Sequence, residues 1–322
     1  MRALLAGAIA PATFLPASSS SQSRPRRIVS VTGNGELTVR EPLEAFRDQF
    51  RALGYQEGRD FVWEVGYGEF SNERTSQLAA KAVAANPDLI FAQHFAVITF
   101  ARQTKTIPIV VIFSGDLIEA GIVTSLAKPG GNVTGIQLMN NDLVGKRIEV
   151  LRRIVPDIRK LAIVAAPGHP GLPGERDASL ATAARLGLAA TFYPVTNRDE
   201  VDAALVTAHA SGADSLILFP DPVTLGSRER IADFAITNKM PLASGWDNYA
   251  LAGALVTYGP NLSAAWVRCA YYIDRILKGS RPADLPIEQP TVFELVVNRK
   301  TARAIGIDIP DSILQEADRV IE

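Results

Sequence analysis

Leu89-Ile90-Phe91-Ala92 and Ile109-Val110-Val111-Ile112-Phe113 are unbroken apolar runs of strand length, with a short helical segment between them. An alternating pattern would mark a sheet with one wet face. A continuous run marks a strand covered on both faces, as in a parallel sheet between two layers of helices. Toward the N-terminus, Ile28–Val31 and Phe61–Val65 are further strands. Between them Leu43, Phe46, Phe50 and Leu53 recur at +3, +4 and +3, one stripe of a helix expected to begin near Glu41 and to carry Pro42 in its first turn. A second helix is expected from Asn72 to Ala85. Toward the C-terminus come a strand at Val133–Leu138 and a helical stripe of Val144, Ile148, Leu151 and Val155. The alternation then resumes: strand Leu161–Ala165, helix Glu175–Leu186, strand Ala190–Pro194, helix Asp199–Ser211, strand Leu216–Phe219, helix Ser227–Asn238 and strand Leu242–Ser244. A last long helix, Asn261 to Lys278, places Leu262, Trp266, Cys269, Ile273 and Leu277 on one face. Strand–helix alternation on this scale predicts an α/β fold of two doubly wound parallel-sheet lobes. No Ser/Gly-rich linker separates them, so the lobes are expected to be joined by short crossovers.

Composition sets the outer limits. The 322 residues, at roughly 100–200 per domain, suggest about two domains. Lys and Arg total 33 against 34 Asp and Glu, a net charge of −1, so no large field is available for nucleic acid or an anionic membrane. The single cysteine, Cys269, excludes a disulfide within the chain and any multi-thiolate cluster, and it reads as a small core residue. Three scattered histidines offer no metal-ligand spacing, and neither a metal nor a cofactor is expected.

The first 26 residues stand apart. Arg2 precedes the apolar stretch Ala3–Leu15, and a small-residue region with four successive serines follows it, the order of a secretory signal. The stretch is too short for a transmembrane span, which takes roughly 20 residues. No cysteine follows it to carry a lipid. A periplasmic mature protein, not a lipoprotein, is expected to begin between Ala17 and Ser23.

Catalytic motifs are missing. Gly33-Asn34-Gly35 follows the first strand, but Thr38 stands where the dinucleotide fingerprint needs its third glycine. There is no phosphate-binding G-x-x-x-x-G-K-[ST] loop and no G-x-S-x-G nucleophile elbow. No enzyme is expected. Ligands of open α/β sheets bind beyond the carboxyl ends of the strands. The residues at those ends make the candidate site: Gly33, Asn34, His94, Phe95, Asp116, Asn140, His169, Asp221 and Trp246. Asn34, Asp116, Asn140 and Asp221 also stand where helix caps or tight turns need them. Backbone amides at Gly33, Phe95 and the 115–117 turn would suit a carboxylate, and Asp221 or Asp116 an ammonium. Trp246 with Phe95 could sandwich a flat group. This mixture favours a small polar ligand, amino-acid-like or aromatic, over a sugar.

Longer motifs carry a resemblance. Leu53-Gly54-Tyr55 with Glu57-Gly58-Arg59, Ile107-Pro108-Ile109-Val110, and Gly115-Asp116 through Pro129-Gly130-Gly131-Asn132-Val133-Thr134-Gly135 occur in order. Gly145-Lys146-Arg147, Tyr258-Gly259-Pro260, Ile273–Gly279, Pro282–Pro290 and Phe293–Asn298 follow. Over about Arg27 to Glu322 the chain resembles the ABC-transporter substrate-binding proteins whose best-known relatives bind aromatic amino acids such as tryptophan. The resemblance implies a type I periplasmic-binding-protein fold, with one lobe at 27–138 plus 248–281 and the other at 139–247 plus 282–322. It implies capture of an extracytoplasmic solute by a monomer and delivery to the transmembrane subunits of an ABC permease. A periplasmic sensor presenting its solute to a receptor, or an enzyme on a related scaffold, are the alternatives. DNA-binding relatives of the fold carry a basic helix-turn-helix segment, whereas here only Arg24, Arg26 and Arg27 precede the first strand. Departures fall at the strand ends. His94-Phe95-Ala96 replaces a small Gly-x-Pro-Ala step, Leu117 follows Asp116 in place of proline, and Ala166-Pro167 replaces Asn-Pro. The implied mechanism is a hinge that ligand pulls closed. A micromolar ligand supplies about 8 kcal/mol, and moving a chain from 1% to 99% closed takes about 5.5 kcal/mol of differential binding.

Overall fold

The computed structural model describes residues 24–138 and 140–322. The secretory leader expected at the N-terminus lies, through residue 23, outside the described residues. Strands β1 (Arg26–Thr32), β2 (Phe61–Tyr67), β3 (Leu89–Gln93), β4 (Ile109–Phe113) and β5 (Val133–Gln137) form one sheet. Its order is β2-β1-β3-β4-β5, parallel throughout. Strands β6 (Lys160–Ala165), β7 (Ala189–Pro194), β8 (Ser215–Leu218), β9 (Leu242–Ser244), β10 (Val256–Pro260), β11 (Phe293–Asn298) and β12 (Arg319–Ile321) form the second, ordered β12-β11-β10-β9-β8-β6-β7. There only the β10–β11 pair is antiparallel.

The apolar runs have a direct physical reason. Alternate residues of each strand feed different cores: Phe91, Val110 and Ile112 face one helical layer, and Ile90, Ala92, Ile109 and Val111 the other. Helix α1 (Glu36–Ala52) covers the first face, and α2 (Asn72–Ala84) and α3 (Phe95–Gln103) cover the second. In the second lobe α4 (Asn140–Ile154), α5 (Leu172–Arg185), α6 (Glu200–Ala210), α7 (Pro222–Gly226), α8 (Arg228–Thr237) and α9 (Asp247–Ala252) do the same work. Helix α10 (Leu262–Leu277) returns to pack on α1 and β4, before α11 (Arg299–Ile305) and α12 (Asp311–Glu316) complete the second lobe. Trp266 of α10 stands edge-on to Phe91 at 5.0 Å, and Phe46 of α1 edge-on to Trp63 at 4.2 Å. Cys269 is buried in this layer, its thiol toward the Val111 carbonyl. No helix among the described residues is long and apolar enough to cross a membrane.

Three expectations need correction. Helix α1 begins at Glu36 rather than near Glu41, so Pro42 lies inside it and not in its first turn. The apolar stripe that locates this helix starts only at Val39, because the turn before it faces solvent. The segment 248–260, assigned to the first lobe, belongs to the second sheet: Val256 and Thr257 pair with Ala243 and Ser244 of β9, and β10 pairs along its length with β11. The chain therefore crosses back after Pro260. The tail from 282, assigned to the second lobe, first lies on the first. Glu288 exchanges backbone hydrogen bonds with Gly135 and Gln137, and Ile287 is buried among first-lobe residues.

Candidate functional site

The carboxyl ends of the two sheets face each other, and small residues let them come close. A Cβ added to Gly33 would stand 3.0 Å from Cγ of Pro222, one on Gly226 would stand 2.5 Å from the Phe70 ring, and one on Gly115 would stand 2.8 Å from the Pro170 carbonyl oxygen. Each of these contacts joins one lobe to the other. The Arg198 guanidinium lies 5.0 Å from the centre of the Phe70 ring, a further link across the seam. The lobes are closed on each other.

Between them is a cavity of about 120 Å³. The first lobe lines it with Phe70, Asn72, His94 and Phe95, and the second with residues 166–170, Thr196, Asp221, Pro222 and Val223. Four of the nine candidate residues thus share one wall or the other: His94, Phe95, His169 and Asp221. Gly33 stands beside them through its contact with Pro222. Asn34 is buried, with Nδ2 donating to Thr32 Oγ1 at 3.3 Å and Oδ1 unpartnered among the described residues. Trp246 does not line the cavity. It is buried behind His94, ring centres 6.0 Å apart, so it does not form the expected sandwich with Phe95. Asp116 stands apart as a turn cap, its Oδ1 accepting the amides of Ile118 and Glu119 at 2.7 and 2.9 Å. Asn140 opens α4, and its side chain is outside the described residues.

His94 occupies an unusual backbone position. It caps α3 with φ 51° and ψ −130°, a region that costs a residue bearing a Cβ on the order of 1–3 kcal/mol. Its side chain is buried, with Nδ1 unpartnered among the described residues. Burial, reinforced by the nearby His169, pulls its pKa down from 6.5 to about 3, so the imidazole is neutral.

His169 is held differently. Its Nε2 lies 2.7 Å from Glu175 Oε1, and Glu175 Oε2 in turn lies 3.6 Å from Nη1 of Arg147. All three side chains have no exposed area. Arg147 also donates from Nε to the Tyr258 carbonyl at 2.8 Å. Burial opposes the charged form of His169, but Glu175, with help from Asp221, outweighs it and leaves the pKa above the ordinary value. Asp221 caps α7. Its Oδ1 accepts the Thr224 amide and its Oδ2 the Ala166 amide, both at 2.9 Å. Burial raises its pKa against the pull of His169 and these amides.

Arg147 and Glu175 are not strand-end residues: Arg147 sits in the middle of α4 and Glu175 in the first turn of α5. A signal was present. Arg147 falls on the apolar stripe of α4, three residues after Val144, and Glu175 falls on the buried face of α5 with Leu172, Ser179 and Thr182. A charge on a core-facing stripe needs a buried partner.

Two parallel-sheet lobes closed over a cavity lined from both sides make this a two-lobe solute-binding protein. Residues 30–321 match the family model described as ABC transporter substrate binding protein, and the chain belongs to that family. A curated relative, the tyrosine-binding protein of Clostridioides difficile (strain R20291), is 24% identical over 255 residues, 79% of this chain and 73% of that one. A solved ABC domain from Streptococcus pneumonia in complex with L-Trp superposes with a TM-score of 0.83 at 23% identity, covering 91% of this chain and all of that one. A conserved domain protein from Vibrio cholerae gives 0.86 at 23% identity, with 92% and 100% covered. A ligand-free, open substrate-binding protein with adhesive properties from Clostridium difficile gives 0.65 at 21% identity, with 92% and 99% covered.

Proposed function

We propose that this chain is the periplasmic solute receptor of an ABC importer, a monomer that closes on a small amino-acid-like or aromatic ligand and presents the closed form to the permease subunits. The carrying observation is the cavity at 94–95, 166–170 and 221–223, walled by both lobes. Only in the closed form do the two walls exist together, so a ligand touching both shifts the population toward closure. The first lobe is taken as residues 27–138 with α10 and the following segment to Glu288, and the second as the remainder after β5. Its fit to the L-Trp complex, better than its fit to the open relative at similar identity, supports a closed arrangement. The tyrosine-binding and L-Trp-bound relatives support the ligand class. No role in catalysis or nucleic-acid binding is proposed. The leader supports export, with the mature chain beginning between Ala17 and Ser23.

Native mass spectrometry of protein purified without refolding tests this reading. A retained, chemically unaltered small solute is the expected result. Turnover of that solute, or an exported form retaining residues 1–15, would overturn it.

A further inference from the structure

Among the described residues, His169 is a cavity-lining side chain that a buried ionic chain holds in place. Arg147 on α4 holds Glu175 on α5, and Glu175 holds Nε2 of His169, all without exposed area. With Nε2 committed, Nδ1 is the atom left to His169, and it is buried with no partner among the described residues. An imidazole that gives its Nε2 proton to a carboxylate can carry a second proton on Nδ1 and donate it. The other groups facing His169 are Asp221 at the N-terminus of α7 and His94 across the cavity. Neither competes for this proton. Asp221 already accepts backbone amides on both oxygens, and His94 is a neutral ring on the opposite lobe. The remaining lining is largely apolar: Phe70, Phe95, Pro167, Pro170, Pro222 and Val223.

From this geometry, and resting on the cavity being the ligand site, we propose that His169 donates from Nδ1 to a ligand carboxylate, and that Glu175 and Arg147 are positioning residues for that bond. The ligand is then a carboxylate with an apolar body. The charge-assisted bond favours carboxylate over the corresponding amine or neutral group, because an unanswered buried donor is costly. His169 is contributed by the second lobe alone, so the carboxylate docks there before the first lobe closes over the apolar body. The upward pull on the His169 pKa persists in the open form, since Glu175 and Asp221, the groups that raise it, lie in the same lobe.

The test is calorimetric titration of the mature protein with L-tyrosine and L-tryptophan beside their decarboxylated counterparts, tyramine and tryptamine. At least one amino acid is expected to bind, and neither amine. His169→Gln is expected to weaken amino-acid binding by about 10- to 100-fold, the range of a hydrogen bond to a charged group. Affinity of the parent protein should fall as pH rises through the His169 pKa. Glu175→Gln should move that alkaline limb to lower pH, a shift that a purely structural role would not produce. Should Glu175→Gln fail to fold, the limb is read on the parent protein against His169→Gln, which should lack it. Amines that bind as tightly as the amino acids overturn the assignment, as does a His169→Gln protein with unchanged affinity and pH profile. Absence of binding by all four compounds also overturns it, and a different solute retained in native mass spectrometry would then leave the solute-binding reading standing.

Discussion

His94 of the first lobe and Trp246 of the second meet across the cleft with ring centres 6.0 Å apart and planes inclined at 63°. The contact exists only while the lobes are together, which makes the indole a reporter of closure rather than a wall of the cavity. Its Nε1 is buried without a partner among the described residues. Trp63 and Trp266 belong instead to the aromatic cluster between the first sheet and its covering helices.

Solute-induced fluorescence should therefore come from Trp246. Trp246→Phe should lose most of the change, while Trp63→Phe and Trp266→Phe should keep it. Phenylalanine is the better replacement, because truncating so large a buried ring to alanine costs about 3–5 kcal/mol of stability. Emission changes that survive in Trp246→Phe would place the reporter elsewhere.

The glycine seam gives a mechanical prediction. A Cβ on Gly115 meets the Pro170 backbone at 2.8 Å, and a backbone wall cannot swing aside as a side chain can. Gly115→Ala should hold the lobes apart without rearranging either sheet. The expected outcome is weaker solute binding, by about tenfold or more as the closed population falls. Small-angle scattering at saturating solute should give a larger radius of gyration than the parent protein. Far-UV circular dichroism should be unchanged, and a variant as compact as the parent would refute the seam.

The buried ion pair carries a stability prediction. Removing one member leaves the other charged and desolvated, at a cost of about 3–5 kcal/mol, whereas replacing both with apolar residues of similar size is often close to neutral. Arg147→Met should thus lower the urea midpoint strongly. Arg147→Met combined with Glu175→Leu should recover only part of the loss, because His169 Nε2 is then buried without its carboxylate, and His169, deprived of its anchor, should bind solute poorly. Equal stability of single and double variants would mean that the pair is not coupled.

Much of the fold was legible because its signal is local. Ile109–Phe113 announces a doubly covered strand in five residues, and the structure gives β4 the same bounds. The assignment of 248–260 failed because lobe membership is not local: nothing within Val256–Pro260 says which sheet its backbone will join. The site divides the same way. Strand-end position is enough to bring His94, Phe95, His169 and Asp221 to the walls of one cavity, since a parallel sheet sends all its carboxyl ends to one side. The direction of a side chain there is set by backbone angles, so strand-end position alone does not reveal that Trp246 stands behind His94 and off the cavity wall. Arg147 and Glu175 come together from two helices, a pairing that periodicity alone cannot supply.

The last prediction concerns acid. In the closed form His94 has its pKa pulled down to about 3 by burial and by His169, and on opening it regains contact with water and an ordinary value near 6.5. Below pH 6.5 the open form therefore takes up a proton that the closed form refuses. The sign follows: His94 leaves closure unaffected above pH 6.5 and opposes it progressively as pH falls toward 3. Each pH unit in that window is worth about 1.4 kcal/mol, or tenfold in affinity, for a single group. His169 does not mask this limb, because its raised pKa comes from Glu175 and Asp221 in its own lobe and persists when the lobes part. Solute affinity measured downward from pH 6.5 should fall with a slope near one proton. His94→Gln, which cannot titrate, should lose the dependence while keeping a polar group in the cavity wall. An affinity that stays level in the parent protein down to about pH 5 would show that His94 is not shut away from water by closure.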